Sequence, residues 1–219
     1  MITLEDVKKN SEVQELIIGA QKQLDAIGYT EHSLRHVSIV SNRAGKILKT
    51  LGYDTHRVEL AKIAGFMHDI GNVVNRIDHA HTGSILAYNI LKDMGMDICD
   101  RIEIMSAIGN HDEKTGAAIS DISAALILAD KSDVHKDRVI NINMAEFGTQ
   151  YRVNYAVINA DLIIDKKDKS IILDLTIDNE ICPALGYFEI FMDRTKMSKQ
   201  AAKYLQTCFG VVINDTKLL

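Results

Sequence analysis

Apolar residues recur at three- and four-residue steps through most of the first 130 positions. Leu4, Val7, Val13, Leu16, Ile17, Leu24 and Ile27 predict an amphipathic helix over residues 3–27, with Thr3 and Asp6 as its N-terminal cap pair and Gly28 ending it. A second helix is expected from Ser33 to Leu51, with Val37, Val40, Ala44, Ile47, Leu48 and Leu51 on one face. A third runs from Thr55 to Ile70. Helices over 81–94 and 97–109 and a strongly apolar one over 119–133 follow, separated by the loop-like stretches "GNVVNRIDHA" and "NHDEKTGAA".

Near residue 150 the pattern changes. "YRVNYAVINADLIID" and "SIILDLTID" are rich in β-branched residues with partial alternation, and "KKDK" between them reads as the charged turn of a β-hairpin. An amphipathic helix over 184–208 and a third strand in "GVVIND" are expected after it. The chain therefore reads as mainly α: an all-α helical body over residues 1–148, then a small ββαβ-like α+β segment over 149–219. The single proline, Pro183, fits long uninterrupted helices before it.

Composition narrows the class. The 219 residues are 47% hydrophobic and 25% charged, ordinary for a globular protein, and the formal net charge is −5. An acidic balance argues against a general binder of nucleic-acid duplexes, but a small phosphorylated ligand needs only a local basic pocket. Cys99, Cys182 and Cys208 are scattered without CxxC spacing, as in a reducing compartment. With no apolar signal core in "MITLEDVKKN" and no 18-residue apolar run, the expectation is a cytoplasmic protein with no membrane partner.

Against this background some polar residues stand out. His36, His68, Asp69, His79, His111 and Asp130 each lie at an expected helix end or inside an apolar stretch. Buried imidazoles and carboxylates are costly unless paired or metal-bound, and a metal centre explains all six at once. A donor set of imidazole and carboxylate without thiolate suits iron, manganese, zinc, nickel or magnesium. Asp69, with two oxygens, can bridge two ions.

"HDIG" with an upstream histidine and a downstream aspartate, in the order H…HD…H…H…D, resembles the HD superfamily of metal-dependent phosphohydrolases across about residues 30–140. The upstream histidine is His32 or His36, both in "EHSLRHVSIV"; His36 is favoured, and the resemblance then makes His32, one turn away on the same face, either a support to the ligands or a substrate contact. The resemblance implies a helical HD bundle in which His36, His68, Asp69 and Asp130 hold a first divalent metal ion. It also implies a second ion held by His79 and His111 and bridged by Asp69. His79 begins "HAHTG", similar to the family's HxxxG element with Gly83 as its glycine; His81 competes but lacks that spacing. Asn72 stands where the family often has lysine, and the paired histidines and "GYP" of cyclic-di-GMP phosphodiesterases are missing. The motif order and "ADK" at 129–131 look closer to the bacterial dinucleoside-tetraphosphate hydrolase branch.

The expected activity is hydrolysis of a phosphoester or phosphoanhydride bond in a nucleotide-like substrate by attack of metal-activated water. Lys131 and Arg76 are the first and second candidates for a phosphate contact, and Asp133, with Asp112, for orienting a ligand or the nucleophile. Asp69, Lys131 and Asp133 are thus the catalytic candidates and Arg76, Lys131 and His32 the substrate-binding ones. His56, His81 and His135 read as surface or structural. The alternative is a regulatory HD module that binds a nucleotide with little or no turnover, its C-terminal segment serving either as a dimerisation element, through which a homodimer forms, or as a sensory one.

Overall fold

Asn10 divides the first expected helix in two. A computed structural model describes residues 2–139 and 149–219. In it α1 (Leu4–Lys9) starts with the expected capping box, in which the Thr3 and Asp6 side chains each bond the other's backbone N–H. Asn10 then accepts from the backbone N–H groups of Glu12 and Val13 and caps a new helix, α2 (Ser11–Ala26). A short amide that satisfies orphan N–H groups is a stronger boundary signal than apolar periodicity, which runs straight through it.

The other helices of the body follow their caps. Ser33 starts α3 (Leu34–Leu51), and Gly52, with φ of 94°, ends it in the left-handed region. Asp54 caps α4 (Thr55–Met67), which passes into a 3-10 turn over Ile70–Val73. After these come α5 (His79–Asp93), α6 (Ile98–Gly109) and α7 (Asp121–Lys131). All ten residues of α7 from Ile122 to Lys131 are buried, because it packs against α3, α4 and α6 at once. The α3–α4 pair is drawn close at Gly65, where a Cβ would lie 2.8 Å from Ser41 Cα.

The C-terminal segment corrects two expectations. "YRVNYA" is not the start of a strand but part of α8 (Thr149–Ala156), in which Val153 and Ala156, three apart, are buried. Helical spacing of the buried positions outweighs β propensity here. The chain is also not all-α: β1 (Val157–Asp165) and β2 (Ser170–Ile177) form the expected hairpin, closed at Asp165 and Ser170. The Asp165 carboxylate accepts from the backbone of Lys167 and Asp168 and so shapes the "KKDK" turn. After α9 (Ala184–Tyr204), β3 (Cys208–Ile213) pairs parallel to β2, and the two-residue β4 (Thr216–Lys217) pairs antiparallel to β3. The strand order is β1-β2-β3-β4.

Ile171, Leu173 and Leu175 of β2 and Val211 of β3 belong to the same buried apolar cluster as the helices of the body, and α9 lies along α7. The domain boundary expected at 148/149 falls at the edge of residues 140–148, outside the described residues. Among the described residues no helix is long and apolar enough to cross a membrane.

Candidate metal centre

Three helix ends and two helix starts deliver the polar residues to one point. His36 sits in the first turn of α3, and His68 caps the C-terminus of α4 with Asp69 next to it. His79 is the first residue of α5, His111 follows α6, and Asp130 lies in the last turn of α7. The turn after Asp69 is pressed against α5: a Cβ on Gly71 would overlap the His79 carbonyl oxygen and lie 2.5 Å from Gly83 N. The glycine of "HDIG" and that of "HAHTG" therefore meet, and their contact sets the distance between Asp69 and His79.

Each histidine has one ring nitrogen tied outward. Nδ1 is 2.7 Å from Asp133 Oδ2 in His36, and 2.9 Å from the Gly65 carbonyl in His68. It is 3.1 Å from the Arg76 carbonyl in His79, 2.7 Å from the Ile108 carbonyl in His111 and 2.6 Å from the Thr30 carbonyl in His32. All five partners are oxygen acceptors, so Nδ1 donates and Nε2 presents a lone pair to the centre.

The two oxygens of Asp69 divide these nitrogens. Oδ2 lies 3.5 Å from His36 Nε2, 3.2 Å from His68 Nε2 and 3.9 Å from His32 Nε2. Oδ1 lies 3.5 Å from His79 Nε2 and 3.9 Å from His111 Nε2. Asp130 Oδ1 joins the first group, 3.4 Å from His36 Nε2 and 3.7 Å from His68 Nε2. Asn72, the departure from the family's lysine, donates its amide to Asp69 Oδ1 and to the Asp69 carbonyl and so holds this carboxylate in place.

Burial tests whether these residues fit a metal. His36 Nε2, His68 Nε2 and Asp69 Oδ2 are buried without a hydrogen bond, which is costly in a protein interior unless a cation completes them. His36, His68 and Asp130 bring ligand atoms within 4.8 Å of one another, and so do His68, Asp69 and His111. Burial pushes the imidazoles of His32, His79 and His111 down, which keeps them neutral and able to ligate. Burial opposes charge at His68 too, but Asp69 and Asp130 overcome it and raise that ring to about 10. The pull of these carboxylates is toward positive charge at the centre. The donor set fits a divalent ion.

Around this set lies a shell of charges. Asp133 is buried and also faces Arg138 and Arg35, and the Arg138 guanidinium donates to the Asp133 and Glu31 carbonyls. Lys131, a candidate phosphate contact from the sequence, is buried with its Nζ 2.7 Å from both Asp130 Oδ2 and Glu113 Oε2. It touches a ligand-bearing carboxylate and does not line the cleft. Arg76 does line it, with Nη1 3.2 Å from Asn72 Oδ1 and 3.1 Å from His79 Nε2 and its guanidinium over the Tyr29 ring. His32 and Asp112 share that cleft, whereas His81 is exposed beside Asp78. Glu113, Arg138 and Arg194 were not singled out by sequence reasoning, and Asn72 was noted only as a departure from the family pattern. Only Asn72, inside the motif, carried a local signal.

Residues 29–135 match the family model of the HD domain. That match supports the HD superfamily for this stretch of the chain. HD domains bind divalent metals, and the match supports a metal-dependent phosphohydrolase in general. The chain is 29% identical over 186 residues to a protein named Ribonuclease Y from Wolinella succinogenes, which covers 73% of this chain. The chain spans about a third (32%) of that relative's length. It is also 29% identical to an uncharacterized protein of Methanocaldococcus jannaschii, over 75% of this chain and 70% of that one. Among solved structures, one described as a predicted HD superfamily hydrolase from an uncultured Thermotogales bacterium shares 27% identity, with a TM-score of 0.45, over 57% of this chain and 67% of that one. The HD match stops at residue 135, so it does not include the sheet or α9.

Proposed function

We propose that this chain hydrolyses a phosphoester or phosphoanhydride bond in a nucleotide-like substrate at a binuclear metal centre bridged by Asp69. The division of the Asp69 oxygens between two sets of Nε2 atoms carries this reading. His36, His68, Asp69 and Asp130 would hold one divalent ion; Asp69, His79 and His111 would hold the second. Bound there, the ions supply activation of water near neutral pH and neutralisation of phosphoryl charge.

The protein's own groups set the stage for that chemistry. Asp133 fixes the His36 ring through Nδ1, and Lys131 fixes Asp130, so both are positioning residues. Arg76 and His32 line the cleft beside the centre, where a phosphate oxygen and the rest of the substrate would lie. The similarity to a protein named Ribonuclease Y favours a phosphodiester among the possible bonds.

The test is metal analysis of the purified chain together with hydrolysis of bis(4-nitrophenyl) phosphate, a short RNA and a nucleotide panel in the presence of manganese. Asp69→Ala should abolish both metal content and turnover. Full metal loading and full activity in that variant would refute the assignment. Tight binding of one nucleotide without product would favour the regulatory module instead.

A further inference from the structure

The cleft beside the metal centre is lined not only by residues of the HD match but also by Arg194, on α9. Helix α9 lies along α7, the helix that carries Asp130. It departs from helical geometry at Phe191, with φ of −108° and ψ of 21°. Phe191 is buried, and the Arg194 guanidinium stacks over its ring at 4.6 Å from the centroid. On its other side Arg194 Nε is 3.5 Å from Glu113 Oε1. Among the described residues this is its one ion pair, so the two terminal nitrogens of the fork are left for a ligand. Glu113 is itself neutralised by Lys131, whose charge keeps its carboxyl well below the usual carboxylate range against the effect of burial.

An arginine stacked on a buried ring and tethered at Nε has already lost most of its rotamer freedom, so it spends little entropy in closing on a planar or tetrahedral anion. Two guanidiniums, those of Arg76 and Arg194, border one cleft together with Lys114 and His32. The acids there include Asp112, near His79, and Glu113, paired with Lys131 and Arg194.

We infer that Arg194 is a phosphate-binding residue of this site, delivered by the C-terminal segment, which makes that segment part of the substrate pocket. The inference rests on the phosphohydrolase reading above and gives that site a specificity-determining arginine. A substrate must then present phosphate oxygens to Arg194 as well as to the centre.

The test compares the manganese-loaded full chain with Arg194→Gln and Arg194→Lys, using inorganic phosphate as the calorimetric probe and bis(4-nitrophenyl) phosphate as the substrate. Loss of one charge-assisted contact should weaken phosphate binding roughly tenfold in Arg194→Gln, with a matching rise in KM, a smaller change in kcat and unchanged manganese content. Arg194→Lys, which keeps the charge without the fork, should fall between. Unchanged phosphate affinity in Arg194→Gln, with wild-type turnover intact, would overturn this inference and leave the phosphohydrolase reading standing. So would lowered manganese content with unchanged phosphate affinity of the loaded protein, the signature of a role limited to holding Glu113. A wild-type chain that neither takes up manganese nor hydrolyses any ester would instead refute the phosphohydrolase reading, and this inference with it.

Discussion

His36 gives its Nδ1 proton to Asp133 at 2.7 Å, and this bond decides which nitrogen of the ring faces Asp69 and Asp130. Asp133→Asn removes the charge and can turn its amide N–H toward the ring. Metal affinity should fall about 10- to 100-fold, the usual effect of losing such a partner. Calorimetric titration with manganese measures it; unchanged affinity would show that the ring is held by packing alone. Asn is preferable to Ala because Arg138 and Arg35 also face this carboxylate, and a vacated site would leave buried Arg138 without its acid.

Metal should stabilise the fold. The buried Nε2 atoms of His36 and His68 and Oδ2 of Asp69 make no hydrogen bond within the protein, so an ion bound there adds contacts the unfolded chain lacks. At a free concentration one hundred times Kd the gain is about 2.7 kcal/mol. For a chain of this size that raises Tm by about 5–10 °C. Thermal melts with manganese and with a chelator measure the difference, and Asp69→Ala should show none of it.

Gly71→Ala should be severe. The added Cβ would overlap the His79 carbonyl and crowd Gly83, and backbone on both sides cannot rotate away as a side chain can. A loss of about 3 kcal/mol or more is expected in chemical denaturation, at the upper end of overpacking effects. A near-neutral result would mean that the turn and α5 separate easily, and that Asp69 and His79 are not held at a fixed distance.

Alkaline stability depends on Tyr187. Burial pushes its phenol up to about 12, so the folded state keeps a proton that the unfolded chain gives up near pH 10. The stabilisation is fully present below pH ~10 and is lost as pH rises toward 12, with a total of roughly 2–3 kcal/mol. Tyr187→Phe should remove that slope in urea melts recorded between pH 9 and 12, while stability at neutral pH changes little. A slope identical in wild type and variant would assign the effect to another group.

The centre was legible because most of its residues violate their surroundings. His36, His68, Asp69 and Asp130 are polar groups in or at the ends of apolar helices, and His79 and His111 follow from the order and spacing of the motif. Their partners carry no such mark. Glu113 sits in a polar loop and Arg194 on an amphipathic helix, where charges are expected; their meaning comes from Lys131 and Phe191, which only packing brings near. Lys131 read as a phosphate contact because its neighbours in sequence do not reveal that α7 is covered on every side and that its ammonium is taken up by Asp130 and Glu113. The helical body was read from periodicity, which located the elements but missed the break at Asn10. In "YRVNYA" the β-branched and aromatic residues suggested a strand, while the burial of Val153 and Ala156 follows a helix.

The parallel pairing of β2 with β3 has a consequence for the order in which the molecule can be built. Residues 170–177 leave the ribosome well before residues 208–213, and β2 has its second neighbour only once α9 has been made and crossed over. The nascent HD portion can gather its histidines while translation continues, since every one of them precedes residue 136. Arg194 reaches its place only after α9 docks, and β3 anchors the far end of that helix. A newly made chain would thus acquire its metal ligands first and its substrate arginine last.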